Sequence, residues 1–282
     1  MSYADITRND RSAIKRWLQR RRLSSALELG LAAAPAARVI CDYGAGDGAL
    51  SLQLAQCRPQ ARIICYEPAD FLRAEAEATL AQAPEVELSA RVDAIAPESV
   101  DLLFCLEVFE HLPARETEQA MRSISRLLRP GGTLVIGVPV ETGIPALYKG
   151  VFRMLRRYGS FDARPDHVLL ATLGRPPRGR TLSEIAPGFR FYREHLGFRL
   201  RELKAVLRAR FHLKRAVACP FAPLGSWLMP EVNLLARKPG RLQEKGDLAV
   251  NASSVSFSSN AGWRGARAGA EQNASLFHQL AR

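Results

Sequence analysis

The 282-residue sequence predicts an α/β fold, a doubly wound and mostly parallel sheet with an insertion after its fifth strand. Three observations predict it. Apolar, strand-like runs alternate with helix-length segments from residue 39 to 139. The first run ends in a glycine cluster, Gly44, Gly46 and Gly48. The second ends about twenty residues later at a carboxylate, Glu67. Strands separated by helices of that length build right-handed βαβ units, and helices then cover both faces of the sheet.

The elements follow in order. Residues 1–38 form an N-terminal segment whose apolar positions Ile14, Trp17, Leu18, Ala26, Leu27 and Leu31 suit an amphipathic helix. Its stretch "RRRLSSALELGLAAAPAA" looks like an export signal, but Glu28 interrupts the apolar part and the polar part before it is long, which disfavours export. The main domain covers 39–240. "ARVICDYG" is the first strand and "ALSLQLAQC" a helix; "ARIICYE" is the second strand and "ADFLRAEAEATLAQA" a helix. "VELSARV" and "VDLLFCLE" are strands three and four, "ARETEQAMRSISRLLR" is a helix closed by "PGG", and "TLVIGVP" is strand five.

An insertion then occupies about 143–190. "GIPALYKGVFRMLRRYG" carries an apolar stripe (Ile144, Leu147, Tyr148, Val151, Phe152, Leu155, Tyr158) with Lys149, Arg153, Arg156 and Arg157 around it. "ARPDHVLLATLGRPPRGRTL" reads as loop. Helix "RLRELKAVLRAR" and strands "HLKRAVAC" and "EVNLLARK" complete the domain, and 241–282, rich in Gly, Ser, Ala and Asn without period, reads as a disordered tail.

Composition sets limits on the class. The five cysteines form no CxxC pair and mostly sit in apolar runs, which suits reduced thiols in a cytoplasmic protein and argues against a disulfide framework or zinc knuckle. No apolar run approaches the roughly eighteen residues that span a bilayer. The formal charge of +12 is unevenly placed: residues 39–150 hold nine Lys/Arg against sixteen Asp/Glu, residues 151–240 eighteen against six. Such asymmetry suits an anionic partner, whether phosphate-bearing substrate, membrane or nucleic acid; a solvated basic face is the alternative.

Glycines at the end of a first strand allow a tight turn and a close approach of backbone to ligand, and an acid ending the second strand can take two ribose hydroxyls. The spacing Gly-x-Gly-x-Gly differs from the dinucleotide fingerprint. In order, "VICDYGAGDGALSL", "YEP", "RVDA", "DLLFCLEVFEHL" and "LLRPGGTLVIGVP" resemble the successive motifs of class I S-adenosylmethionine-dependent methyltransferases over roughly residues 38–140. The resemblance implies a seven-stranded sheet whose last strand is antiparallel. It implies that Asp42, Gly44, Gly46 and Gly48 line the methionine end of the cofactor, with Glu67 on the ribose. Asp93 and Ala94 would border the adenine, and Leu106 would lie near the edge of strand four.

Strand four points its end at the ligand crevice and meets Glu107, Glu110 and His111 there. In a helical segment these three share a face and suit Mg²⁺ or another divalent metal. Alternatively His111 is the general base for an acceptor hydroxyl. "EVFEH" resembles the metal-binding segment of ubiquinone-biosynthesis O-methyltransferases and of small-RNA 3′-end 2′-O-methyltransferases. The latter add a histidine where this chain has His195, in "YREHLGFRLRELKAVL". The pattern also occurs in methyltransferases without a metal, so metal and metal-free readings both stand. His167 and His212 read as surface residues.

These readings converge on O-methylation of a small lipid-linked, quinone-like or saccharide acceptor, with His111 and His195 catalytic. "HLGFRLRELKAVL" and "PFAPLGSW" resemble methyltransferases of bacterial polysaccharide and lipid pathways. The alternatives are RNA ribose 2′-O-methylation and a cofactor-binding scaffold without turnover. The basic, apolar-striped insertion resembles the membrane-contacting insertion of the ubiquinone enzymes, which places the protein at the inner face of an anionic membrane. A lid helix packed on the core competes with that reading, and nucleic acid ranks below it.

Overall fold

The computed structural model describes residues 13–186 and 188–241. Seven strands make one sheet: β1 (Val39–Tyr43), β2 (Arg62–Tyr66), β3 (Glu87–Ser89), β4 (Val100–Leu106), β5 (Leu128–Pro139), β8 (His212–Cys219) and β9 (Glu231–Arg237). Their order is β3-β2-β1-β4-β5-β9-β8, and β9 alone runs antiparallel to its neighbours. The doubly wound, seven-stranded expectation holds, with its antiparallel last strand.

Central β4 shows why. Its sequence is a nearly unbroken apolar run because both faces are covered. Alternate side chains leave it in opposite directions. Leu103 and Cys105 join Met121 and Ile124 of α4 (Ala114–Leu127) and Leu203 and Leu207 of α7 (Leu200–Arg208). Leu102 and Phe104 join Ala26 of α1 (Ala13–Ala33), Leu54 of α2 (Ala49–Cys57) and Ala76 of α3 (Asp70–Leu80). Two cores thus clamp one sheet and hold the carboxyl ends of β1, β2 and β4 on one edge.

The structure departs from the sequence reading in several places. Strand three is only three residues long, and Val92–Ala94 turns as a short 3₁₀ helix. Trp17 of α1 is 48% exposed and faces the Phe221 ring. The stretch read as loop contains α6 (Pro165–Thr172), which buries Val168 and Ala171, and the start of a hairpin of β6 (Leu182–Ala186) and β7 (Phe189–Tyr192). Proline at the first turn and surrounding arginines disguised a helix with a two-residue apolar contact. His167 is half-buried rather than superficial, its Nδ1 lying 2.7 Å from the Phe161 carbonyl. Four cysteines are buried and Cys57 is exposed. The Ile14 side chain and the tail assigned to 241–282, Arg241 apart, lie outside the described residues. No helix among the described residues is long and apolar enough to cross a membrane.

After β5, α5 (Ile144–Arg157) crosses α6 where Gly150 meets Val168; a Cβ at Gly150 would collide with that side chain. Much of the basic charge here is spent internally. Lys149 and Arg153 converge on fully buried Glu141, and Arg157 pairs with buried Asp162 at 2.6 Å. The stripe of α5 does not pack on the core: Leu155 is 82% exposed, with Phe152 and Val151 beside it and Leu173 just beyond α6 66% exposed.

Candidate active site

The loop after β1 is built by backbone geometry. Gly44, Gly46 and Gly48 hold φ of 74°, 58° and 75°, a region that costs other residues steric strain. The N–H groups of Gly44 and Ala45 donate to the Tyr66 carbonyl at 2.8 and 3.0 Å. This ties the loop to the end of β2. A Cβ on Gly44 would stand 2.7 Å from Val108 Cγ2, so glycine is needed twice over. Gly48 caps α2 and lies against Ala76, behind the cavity wall.

Two carboxylates organise this end. Ser51 Oγ donates to buried Asp42 at 2.8 Å, and burial raises the Asp42 carboxyl to about 7. Glu67 accepts from Gly46 N at 2.8 Å on one oxygen and from Ala69 N at 2.9 Å on the other. Burial pushes its pKa up while these amides pull it down. Each oxygen keeps a second lone pair for a ligand hydroxyl.

Asp42, Gly44, Gly46, Glu67, Leu106 and His111 line one cavity of about 710 Å³. Asp93 and Ala94, expected at the adenine, are exposed and stand outside its wall; their neighbour Val92 lines it instead. Sequence reasoning missed two other contributors. Arg16, Arg20 and Leu23 project from one face of α1, and Phe189 and Phe191 come from the β6–β7 hairpin. The polar positions of α1 carried that signal, since they spoil its apolar stripe.

Beyond β4 the chain places the ionisable groups of "EVFEH". Glu107 has φ of 56°, unusual for a residue with a side chain. Its N–H donates to the Gly137 carbonyl at 2.9 Å, and its carboxylate meets Arg22 of α1 at 2.8 Å. Glu110 is fully buried; ionised, neither of its oxygens meets a donor, and with one of the two acids protonated it shares a hydrogen bond with the Glu107 carboxyl. Glu231 of β9 joins them, 3.8 Å from Arg22. Burial raises all three carboxyls to about 8. Arg22 and Glu231 were not foreseen, being far away in sequence.

His111 Nδ1 lies 2.7 Å from the Tyr192 carbonyl. A carbonyl only accepts, so Nδ1 carries the proton and Nε2 a lone pair. That Nε2 is 3.1 Å from His195 Nε2. Burial lowers both imidazole pKa values and favours the neutral rings. Glu110, His111 and His195 each present a ligand atom within 4.8 Å of the others. The expected set of Glu107, Glu110 and His111 is thereby corrected: Glu107 turns to Arg22, and His195 takes its place.

A glycine turn at the end of β1 with a carboxylate beside it is an arrangement that suits a nucleoside cofactor. Residues 41–134 match the family model described as a methyltransferase domain. These residues carry a methyltransferase domain, and the seven-stranded sheet built around them has the class I methyltransferase fold. A search of curated proteins returns no match. Solved structures resemble it in fold. The N-methyltransferase NodS from Bradyrhizobium japonicum WM9, in complex with S-adenosyl-L-homocysteine, is 16% identical with a TM-score of 0.51, over 82% of this chain and 91% of that one. The PH0226 protein from Pyrococcus horikoshii OT3 is 12% identical at 0.54, covering 84% and 96%. The Burkholderia thailandensis 1,6-didemethyltoxoflavin-N1-methyltransferase, with 1,6-didemethyltoxoflavin and S-adenosylhomocysteine bound, is 18% identical at 0.50, covering 84% and 85%.

Proposed function

We propose that this enzyme methylates a hydroxyl of a small lipid-linked, quinone-like or saccharide acceptor, working in the cytoplasm at the inner face of an anionic membrane. The observation that carries the reading is the fixed tautomer of His111, whose Nε2 lone pair belongs to a neutral ring on the wall of the cofactor cavity. The cofactor supplies an already activated methyl group, so positioning does most of the work. An alcohol is nonetheless a poor nucleophile at neutral pH, and a neutral imidazole can take its proton during transfer. His195 Nε2, 3.1 Å from His111 Nε2, donates to it in this state, and the acceptor hydroxyl displaces that donor when it hands its proton to His111. Phe189 and Phe191 give the cavity the apolar wall that a ring-bearing acceptor needs. The exposed stripe of α5 and α6 supports the membrane partner.

A second reading of the same reaction rests on Glu110. A buried Glu110 carboxyl whose oxygens meet no donor once it is ionised, beside two neutral imidazoles, is a donor set that fits Mg²⁺ or another divalent cation, which would displace the carboxyl proton. There Glu110, His111 and His195 would hold the ion, and its chemistry would be to lower the pKa of an acceptor hydroxyl. His111 is already oriented for it by the Tyr192 carbonyl. RNA ribose methylation ranks lower, because Lys149, Arg153 and Arg157 are engaged by Glu141 and Asp162.

Labelled S-adenosylmethionine with lipid, saccharide and RNA extracts tests the proposal. Label should enter an ether in the lipid or saccharide fraction, fall at least 100-fold with His111→Gln, and fall after chelation only under the cation reading. Label on nitrogen, or in RNA alone, would refute it.

A further inference from the structure

A second concavity lies away from the cofactor cavity, between α7 and the start of α5. It measures about 550 Å³, and Arg201, Lys204 and Arg208 line it together with Ile144 and Trp227. The three cations sit at i, i+3 and i+7 on α7, so they share one face, while Leu203 and Leu207 bury the other. No acidic residue lines the groove. Among the described residues none of the three meets a carboxylate at ion-pair distance; the only acid of α7, Glu202, pairs with Arg199 at 3.3 Å. This contrasts with the insertion, where Lys149, Arg153 and Arg157 all have carboxylates. Burial first, and then the adjacent Arg208 charge, lower the Lys204 pKa. The hydroxyl-bearing residues Thr142 and Ser226 complete the polar wall.

The groove opens next to the apolar face. Ile144 lines it and also begins the exposed stripe of α5. One turn on, the Tyr148 hydroxyl donates to the Leu228 carbonyl at 3.1 Å, which fastens the stripe beside Trp227. Trp227 itself is 66% exposed, an amphipathic ring at the rim where a membrane interface favours one.

We propose that this groove binds the phosphate headgroup of an anionic lipid, with Arg201, Lys204 and Arg208 as its ligands. The acyl chains would then lie along the stripe of α5. The inference rests on the membrane reading above and adds to it a defined headgroup site.

The test uses the full chain and co-sedimentation with vesicles of phosphatidylglycerol in phosphatidylcholine. Each basic residue near such a surface contributes about fivefold, so Arg201→Gln/Lys204→Gln/Arg208→Gln should bind on the order of 100-fold more weakly. A control with the same charge loss elsewhere, Arg38→Gln/Arg58→Gln/Arg115→Gln, should lose less than about fivefold, since screening confines the effect to nearby charges. Circular dichroism and unchanged cofactor affinity establish that the groove variant is folded. Equal losses in both triple variants would overturn the headgroup site and leave the membrane reading intact. A wild type that ignores vesicles, or a Phe152→Ser/Leu155→Ser variant that still binds them fully, would overturn the membrane reading and the groove with it. Soluble glycerol phosphate held at the groove, with no vesicle binding, would reassign the site from a lipid to a free phosphate ester and so refute the proposal.

Discussion

Replacing Glu141 with glutamine removes the carboxylate that fastens the insertion to the end of β5. Lys149 Nζ lies 2.5 Å from it, and Arg153 reaches both its oxygens, at 2.8 and 2.9 Å. Burial pushes the Glu141 carboxyl up, but Lys149 and Arg153 outweigh burial and hold it well below the usual range. Removing one partner of a buried pair costs about 3–5 kcal/mol, because the remaining charge is left uncompensated. Two features set the value near the lower end: glutamine keeps one oxygen that can accept from Arg153, and Asp162 remains 3.4 Å from Arg153. A loss of about 3 kcal/mol lowers a urea midpoint by at most about 1 M, since the urea slope of a protein of this size is about 3 kcal/mol per molar or steeper. The pH dependence follows from the sign of the shift. A depressed carboxyl contributes stability above its unfolded value of 4.5 that is lost as pH falls through the folded value. Denaturation measured at neutral pH and again below about pH 4 should therefore show the gap between wild type and Glu141→Gln narrowing in acid. A difference under about 1 kcal/mol at neutrality, or one unchanged in acid, would refute the account of how α5 is anchored.

Three further outcomes are expected. Gly44→Ala should weaken cofactor binding at least tenfold, through strain at φ 74° and a clash with Val108, and adding Val108→Ala should recover part of the loss in the same titration. If His111 accepts the proton, its pKa, lowered from 6.5 by burial, should appear as an acid limb of kcat lying below pH 6.5; a limb centred above that value would exclude it. Arg22→Met should destabilise the protein more at pH 9 than at pH 6. Glu107 and Glu231, raised by burial to about 8, contribute stability below their unfolded values of 4.5 and lose it as pH rises through 8, where Arg22 first and then Lys149 offset their charge. Thermal melts at the two pH values check it.

What was legible in the sequence followed from local physics. The glycine turn after β1 and its tie to Glu67 were legible because positive φ and a strand-ending acid leave marks in consecutive residues. The unbroken run of β4 likewise declares a strand buried on both faces. Pairings between distant segments were harder to read. His195 came into view through resemblance, whereas Arg22 and Glu231, which complete the carboxylate cluster, carry no local signature. The insertion misled in two ways. Arginine and proline concealed α6, and a positive count concealed that Lys149, Arg153 and Arg157 already have acidic partners. Charge totals say nothing about pairing: among the described residues Arg201, Lys204 and Arg208 of α7 meet no carboxylate at ion-pair distance.

Calorimetric titration with S-adenosylmethionine tests the central claim most directly, because everything else depends on the cavity between Asp42 and Glu67 being the cofactor site. The wild type should bind, and Asp42→Ala and Glu67→Ala should each weaken binding at least tenfold, about 1.4 kcal/mol. Glu67→Ala removes the acceptor for Gly46 N as well as a partner for the ribose, so its loss should be the larger. A wild type that does not bind, or unchanged affinity in both variants, would contradict the account.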